Sequence, residues 1–232
     1  MGRRARSNLP LVNTHPRVLS LNVGRGQPTG LPAAPTSGID KRPVARIEIR
    51  DPGPKRGGLG SGVVGDTIGD QRHHGGVTQA VYAYPREDQQ WWAEQLRRPI
   101  APGGFGENVT TVGVDATHAL VGERWRIGPV VLRVEVPRIP CATFARHMNE
   151  RGWVKRFAAP GRTGAYLSVV SPGTISTDDA IDIERPDHDI DLLSVFRAIM
   201  GDLEAARRVL SSGVLSPTEH DYLAGTFARR TH

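Results

Sequence analysis

The sequence contains one cysteine among its 232 residues, and this scarcity excludes several kinds of chemistry. A single thiol cannot form an intrachain disulfide, and it cannot hold an iron–sulfur cluster, which needs several cysteine ligands. The lack of disulfides fits a reducing compartment. Any redox activity would therefore depend on a bound group other than such a cluster.

Long apolar runs are also missing, so no segment of the sequence reaches the length that a transmembrane helix needs. The arginine-rich start, M-G-R-R-A-R-S-N, is followed by too short an apolar stretch for a secretory signal. These two absences predict a soluble protein of the cytoplasm.

Acidic residues are absent from residues 1–39, which contain five arginines and so account for five of the six net positive charges. We expect residues 1–16 to form a disordered basic leader. A basic arm could bind nucleic acid, but no regular aromatic residues interrupt the charges to form a stacking platform. Nucleic acid is therefore not the expected partner.

The rest of the chain alternates short strand-like segments with turns, which predicts a mainly β fold, a barrel or sandwich with few helices, over residues 17–184. The predicted strands are residues 18–23, 44–50, 77–84, 109–112, 130–136, 165–170 and 180–184. Glycine and proline predict a loop over residues 24–35, and Pro85 opens a predicted helix that Pro99 ends. Composition changes near residue 185, and three short helices, the last opened by the capping box Ser216-Pro217-Thr218-Glu219, predict a separate all-α module over residues 185–232.

The cysteine follows the predicted strand 130–136, whose apolar residues alternate as if one face were buried. Pro137 and Pro140 cannot donate to a sheet ladder, so they should end the strand and leave Cys141 on a turn at its rim. Arg138 and the start of a short helix after residue 141 would favour the thiolate. The alternative is that Cys141 is a small buried hydrophobic residue.

Two further segments contain candidate ligand-binding residues. Lys41 and Arg42 stand at the entrance to a strand, where they either face solvent or contact an anion. Residues 51–76 contain nine glycines and end in His73-His74-Gly75-Gly76, without the spacing of a Rossmann or P-loop motif. Such a loop allows close backbone approach to an anion, whereas adjacent histidines point apart and should not share one metal. Asn108 could cap a turn or reach a ligand.

Six blocks in this order resemble the MOSC domain family and, within it, the YiiM-like bacterial branch with a C-terminal three-helix appendage. The blocks are I-D-K-R-P-V (39–44), G-D-x-x-x-H-G-G (69–76), A-V-Y-A-Y-P-R-E (80–87), F-G-E-N (105–108), P-R-I-P-C (137–141) and G-R-T-G-A-Y (161–166). The resemblance covers about residues 17–184 and implies a β-barrel-like fold that binds the molybdenum cofactor. It leaves pyridoxal phosphate binding open as a further possibility.

The same resemblance implies specific site residues and an activity. Cys141 would be the molybdenum ligand, and the residues expected to bind the rest of the cofactor are Lys41, Arg42, His74, Gly75, Gly76, Asn108 and Arg138. The implied reaction is reduction of N-hydroxylated compounds, such as hydroxylaminopurines, to amines, with electrons from a flavoprotein reductase. One departure is that V-T-Q follows the glycines here, where many relatives have an aspartate.

Two other functions are compatible with the same residues. Cys141 could be the nucleophile of a cofactor-free thiol enzyme, with His74 as base and Asn108 as its orienting group. The chain could also carry cofactor or sulfur without turnover.

Overall fold

The computed structural model describes residues 15–32 and 34–231, and its centre is a mixed sheet of eight strands. Two further strand pairs stand beside that sheet, and this confirms the predicted mainly β fold. The strands of the described residues are β1 (Arg17–Gly24), β2 (Gln27–Leu31), β3 (Ala34–Ser37), β4 (Lys41–Val44), β5 (Arg46–Ile49), β6 (Val81–Pro85), β7 (Val109–Val112), β8 (Arg124–Ile127), β9 (Val130–Pro137), β10 (Ala165–Ser171), β11 (Gly173–Ser176) and β12 (Asp182–Glu184).

Six α-helices join and follow these strands, and the last three form the C-terminal helical part. They are α1 (Arg86–Leu96), α2 (Ala142–Met148), α3 (Trp153–Ala158), α4 (Leu192–Met200), α5 (Leu203–Ser212) and α6 (Pro217–Thr231). The predicted helix after Pro85 is confirmed, and its acidic first turn, Glu87 and Asp88, suits the helix dipole.

The large sheet has the order β12-β8-β9-β10-β6-β7-β1-β4, and every neighbouring pair is antiparallel except β6 and β7. A parallel pair needs a crossover connection, and α1 supplies it. The sequence placed the strands but contained no information on this order.

The strand register brings several chain segments to one end of the sheet. Pro137 pairs with Ala165, Ala165 with Ala83, Ala83 with Val109, and Val109 with Leu21. These paired residues form one row across the sheet, and the row contains the last residue of β9 and the first residues of β10 and β7. Because β1 ends and β4 begins at that same end, residues that flank these strands come together there.

Several predicted elements differ from the structure. Residues 24–35, predicted as loop, include the hairpin strand β2 and the start of β3. The predicted strand 77–84 starts late, because Val77–Gln79 is a 3-10 turn and β6 begins at Val81. β9 has buried residues on both faces, since Glu135 is also buried and accepts a hydrogen bond from Ser168 at 2.6 Å.

An aromatic cluster packs α1, α2 and α3 against the end of the sheet where β9 stops. Its fully buried members include Trp92, Phe105, Phe144, Trp153 and Phe157. Their ring centroids lie 4.9 to 6.5 Å apart, which is the range of favourable aromatic pairs. Since α2 follows directly after Cys141, this cluster fixes the chain that bears the thiol.

The main apolar core continues from the sheet into the C-terminal helices, with Leu192, Val195, Val209 and Leu223 among its buried members. Asp191 and Asp202 cap α4 and α5 by accepting backbone N–H groups of the first turn. The domain boundary near residue 185 stays a prediction.

The predicted leader falls mostly on residues 1–14, which lie outside the described part of the chain. Among the residues that are described, no helix is both long and apolar enough to cross a membrane.

Candidate functional site

Cys141 lies on the link between β9 and α2, where its backbone is extended and it precedes the first helical residue. Its carbonyl accepts the N–H of Ala145 at 2.9 Å, which is the first bond of α2. The residue is partly exposed and contacts the aromatic cluster on one side. The sulfur is therefore at a surface of the protein, as the two prolines predict, rather than deep in the core.

The thiol borders a small cleft of 70 Å³ at the end of the sheet described above. Polar side chains from four separate segments meet there, so the cleft exists only in the folded chain. Those that line it include Lys41, Asp70, His74, Arg138, Cys141, Thr143 and Tyr166. The sequence predictions included Lys41, His74, Arg138 and Cys141 but not Asp70, Thr143 or Tyr166.

The thiol of Cys141 is surrounded by groups that stabilise its ionised form. Burial alone would raise its pKa, but a hydrogen bond with His74 and the positive charge of Arg138 lower that pKa from 9.0 to about 7. A substantial thiolate fraction is therefore present at neutral pH. Thiolates are nucleophiles and ligands for soft metals.

Arg138 is a buried and fixed positive charge beside the thiol. Its guanidinium donates to the carbonyl of Phe105 and stacks over the ring of Phe144 at 4.0 Å and that of Tyr82 at 4.9 Å. Burial by itself would lower the pKa of Arg138, yet Tyr166, Tyr82 and Cys141 raise it above the usual value. The side chain therefore keeps its positive charge at neutral pH.

Lys41 reaches the cleft, but its ammonium group forms an ion pair with Asp66. The two side chains are 5% and 0% exposed, and the pKa of Lys41 is lowered by burial, against the opposing effect of Asp66. Asp66 also accepts from the Gly24 N–H at 2.7 Å and the Ser61 hydroxyl at 2.9 Å. The positive charge of Lys41 is therefore already balanced inside the protein.

Arg42 does not line the cleft. Its guanidinium is 78% exposed and pairs with Asp40, 2.8 Å away. Successive side chains of a strand point to opposite sides, so Arg42 points away when Lys41 points in. The expectation that both cations serve one anion is not met by this geometry.

Asn108 is buried next to the cleft, and its side chain forms hydrogen bonds with other groups of the protein. Its side-chain oxygen accepts the N–H of Tyr82 at 3.2 Å, and its amide nitrogen donates to Asn22 O at 3.3 Å and to Asp66 at 3.0 Å. Asn108 therefore joins β6 to β1 and holds the carboxylate that pairs with Lys41. Within the described part of the chain, none of these side-chain hydrogen bonds goes to His74, the group that Asn108 would orient in a thiol enzyme.

The remainder of the F-G-E-N block builds the wall of the cleft. The Glu107 carboxylate is buried and accepts from Gly103 N, Phe105 N, Gln89 and Thr110, and burial raises its pKa. These bonds fix the turn that places Gly106 in the cleft and the Phe105 carbonyl against Arg138.

His74 lines the cleft, while Gly75 and Gly76 serve the packing of the loop. Both glycines have φ of 78°, and a Cβ atom on Gly75 would come within 2.5 Å of the Gly60 carbonyl. The N–H of His74 donates to Asp70 O and that of Gly76 to Gly60 O. These two N–H groups are therefore already hydrogen-bonded, so the loop has fewer free backbone donors for an anion than its sequence suggests.

Tyr166 and Asp66 are two further polar residues near the thiol that the sequence did not single out. Tyr166 packs on Tyr82 with ring centroids 4.7 Å apart, and burial raises the pKa of its hydroxyl. The G-R-T-G-A-Y block ends on this tyrosine, which could have indicated it. Asp66 occupies the glycine-rich loop without any local pattern, and only the fold brings it to Lys41.

No cluster of three or more histidine, cysteine, aspartate or glutamate side chains that could hold a metal occurs in residues 15–32 or 34–231. His73, next to His74, is exposed and pairs with Asp70 at 2.7 Å. A metal at Cys141 would therefore have one protein ligand among the described residues and would need to bring its other ligands with it.

Known proteins resemble this chain in both sequence and fold. A family model described as MOSC domain matches residues 70–182. The uncharacterized protein YflK of Bacillus subtilis is 30% identical over 204 residues, which cover 86% of this chain and 89% of YflK. Protein YiiM of Escherichia coli is 32% identical over 126 residues, which cover 53% of this chain and 56% of YiiM.

The fold is also found in solved structures. The crystal structure of YiiM from Geobacillus stearothermophilus superposes with a TM-score of 0.70 at 23% identity, covering 91% of this chain and 99% of that chain. The crystal structure of YiiM from Escherichia coli gives a TM-score of 0.68 at 21% identity, with coverage of 93% and 94%.

Proposed function

Because the chain belongs to the MOSC domain family, we propose that it is a molybdenum-cofactor-dependent reductase of N-hydroxylated compounds. The substrates would be of the hydroxylaminopurine type and would be reduced to amines, with electrons from a separate flavoprotein. Cys141 would be the protein's ligand to molybdenum. The observation that carries the proposal is a single soft sulfur, about half ionised at neutral pH, that borders a cleft containing Arg138 and His74.

The donor set fits such a cofactor. A metal with only one thiolate ligand from the protein needs its other ligands from elsewhere, and a pterin dithiolene would supply them. Arg138 offers a permanent positive charge to an anionic metal centre, and the thiolate of Cys141 is the protein donor that a soft metal prefers. When bound, the cofactor would supply two-electron redox chemistry.

The reaction also needs protons, and residues of this chain can supply them. Converting N–OH to N–H consumes two electrons and two protons, breaks the N–O bond and releases water. The hydroxyl of Tyr166 and the imidazole of His74 both border the cleft. Because burial raises the pKa of Tyr166, that hydroxyl keeps its proton at neutral pH and can donate a hydrogen bond to the leaving oxygen.

Electrons must come from outside the chain, since one cysteine cannot hold an iron–sulfur cluster. A flavoprotein reductase is the partner that the proposal requires. Pyridoxal phosphate is a weaker candidate for the cofactor, because imine formation would need a free lysine beside the thiol, and Lys41, the lysine that lines the cleft, is paired with Asp66.

The contact between His74 and Cys141 favours one second candidate, a cofactor-free thiol enzyme. Against it stands Asn108, whose amide is engaged by Asn22, Tyr82 and Asp66 and does not orient the histidine. Such an enzyme would be active without molybdenum and would be inactivated by alkylation. A carrier of cofactor or sulfur, the remaining alternative, would bind molybdenum without reducing any substrate.

The test is to purify the chain from a host that makes the cofactor and to assay 6-hydroxylaminopurine with a flavoprotein reductase and its electron donor. The proposal predicts molybdenum in the protein and formation of adenine that depends on both metal and reductase. Reduction by metal-free protein would favour the thiol enzyme, and bound molybdenum without any reduction would favour the carrier.

A further inference from the structure

A second cavity, of 340 Å³, adjoins the cleft of Cys141 and is several times larger than it. Gly69 and Asp70 line both, so the two spaces share a wall. The larger one is lined by Pro35, Lys55, Arg56, Gly57, Gly69, Asp70, Gln71 and Arg72. We name it the basic cavity.

Positive side chains outnumber negative ones in the basic cavity. Lys55, Arg56 and Arg72 face a single carboxylate, that of Asp70. A hydrogen bond from His73 lowers the pKa of Asp70, so its charge is present at neutral pH, and it pairs with Arg72. Two positive charges remain in excess, on Lys55 and Arg56, whose side chains carry no ion pair with a described carboxylate.

The cations expected to bind a phosphate elsewhere are not free to do so. Lys41 is neutralised by Asp66, and Arg42 points away from the cleft. The amides of His74 and Gly76 are bonded to backbone carbonyls. Gly57, in contrast, has φ of 77° and open space where a side chain would be, so the backbone of the basic cavity can be approached closely.

The small volume of the cleft also indicates that a ligand extends into the basic cavity. Sites for drug-sized ligands occupy roughly 300 to 1,000 Å³, and the 70 Å³ cleft at Cys141 can hold only the reacting end of such a molecule. The rest of the ligand must extend beyond the cleft, and the basic cavity is the adjoining space with matching charge.

We infer that the basic cavity binds a phosphate monoester that belongs to the ligand whose reacting end occupies the cleft of Cys141. This inference rests on the proposed function. The phosphate has two possible sources: the 5′-phosphate of an N-hydroxylated nucleotide substrate, or the terminal phosphate of the pterin cofactor. In both cases Lys55 and Arg56 balance its charge.

The experiment compares the wild-type chain with Lys55→Gln/Arg56→Gln, produced in a host that makes the cofactor. The matched control is Arg124→Gln/Arg126→Gln, which removes the same charge from β8, outside both the cleft and the basic cavity. Two quantities are measured: the affinities for adenosine 5′-monophosphate and for adenosine by calorimetry, and the molybdenum and pterin content per chain. Thermal unfolding checks that the variants fold.

If the phosphate is the substrate's, the cavity variant binds the monophosphate about tenfold more weakly, while its binding of adenosine and its cofactor content are unchanged. If the phosphate is the cofactor's, molybdenum and pterin content fall together and the nucleotide affinities do not change. A cavity variant that matches the control in both quantities overturns the inference. Neither measurement involves turnover, so a protein without reductase activity refutes the proposed function while still deciding this one.

Discussion

Replacing His74 by alanine should raise the pKa of the Cys141 thiol, because the hydrogen bond from His74 is the largest of the contributions that lower it. The remaining influences oppose each other: burial raises the pKa and Arg138 lowers it. With His74 gone, the pKa of the Cys141 thiol should rise from about 7 toward the ordinary 9.0.

The size of the effect follows from the ionised fraction of the thiol. A thiol with a pKa of about 7 is half ionised at pH 7. A rise of about one unit or more would leave roughly a tenth or less as thiolate. We therefore expect alkylation at neutral pH to slow by about fivefold or more, and the rates of wild type and variant to converge at high pH, where both thiols are ionised.

The assay is the rate of reaction of cofactor-free protein with iodoacetamide as a function of pH. His73→Ala is the matched control, because His73 is the adjacent residue but is exposed and pairs with Asp70. Its pH profile should match the wild type. If the pH at the inflection of the rate profile is the same in His74→Ala as in the wild type, the view that this histidine sets the ionisation of the thiol is refuted.

Three further predictions concern other contacts of the folded chain. Asp66→Ala leaves the buried ammonium of Lys41 unpaired and should cost about 3–5 kcal/mol in urea unfolding, whereas Asp40→Ala, which breaks only an exposed pair, should cost less than about 1 kcal/mol. Glu219→Ala removes the acceptor of the Thr78 hydroxyl, 2.7 Å away, so amide exchange over Val77–Gln79 should accelerate; Asp221→Ala in the same helix should leave it unchanged. Tyr166→Phe should lower kcat by about tenfold or more while molybdenum content stays the same, and a full kcat would exclude the hydroxyl as proton donor.

Local patterns in the sequence predicted the elements of this fold better than their arrangement. Strand β1, helix α1 and the helix after Cys141 follow from alternation, from Pro85 and from the prolines before the thiol. The sheet order does not, because strand neighbours such as β6 and β10 are distant in sequence. Burial of Glu135 was missed for the same reason: its partner Ser168 belongs to another strand.

The candidate site divides in a similar way. Cys141, His74 and Arg138 stand in conspicuous motifs, and the structure brings them to one cleft. Arg42 belongs to the same motif as Lys41, but its side chain points away from the cleft, because adjacent side chains of a strand point to opposite faces. Asp66 could not be predicted, because its importance lies in pairing with a lysine 25 positions earlier.

The capping box shows a local rule that was only partly right. Ser216 does accept the N–H of Glu219, at 3.5 Å, and α6 begins at Pro217. The carboxylate of Glu219 bonds to Thr78, 141 positions earlier, instead of returning to its own helix. The C-terminal helices are thus connected to the 3-10 turn that follows His74.

The most direct test of the account is the molybdenum and pterin content of freshly purified wild type and Cys141→Ser from a host that makes the cofactor. Serine is nearly isosteric and should not disturb the fold, but its hydroxyl is a poor ligand for a soft metal. We expect the wild type to contain both metal and pterin, and the variant to fold normally while losing molybdenum and reductase activity together. A Cys141→Ser protein with full metal content and full activity would contradict the central role assigned to this sulfur.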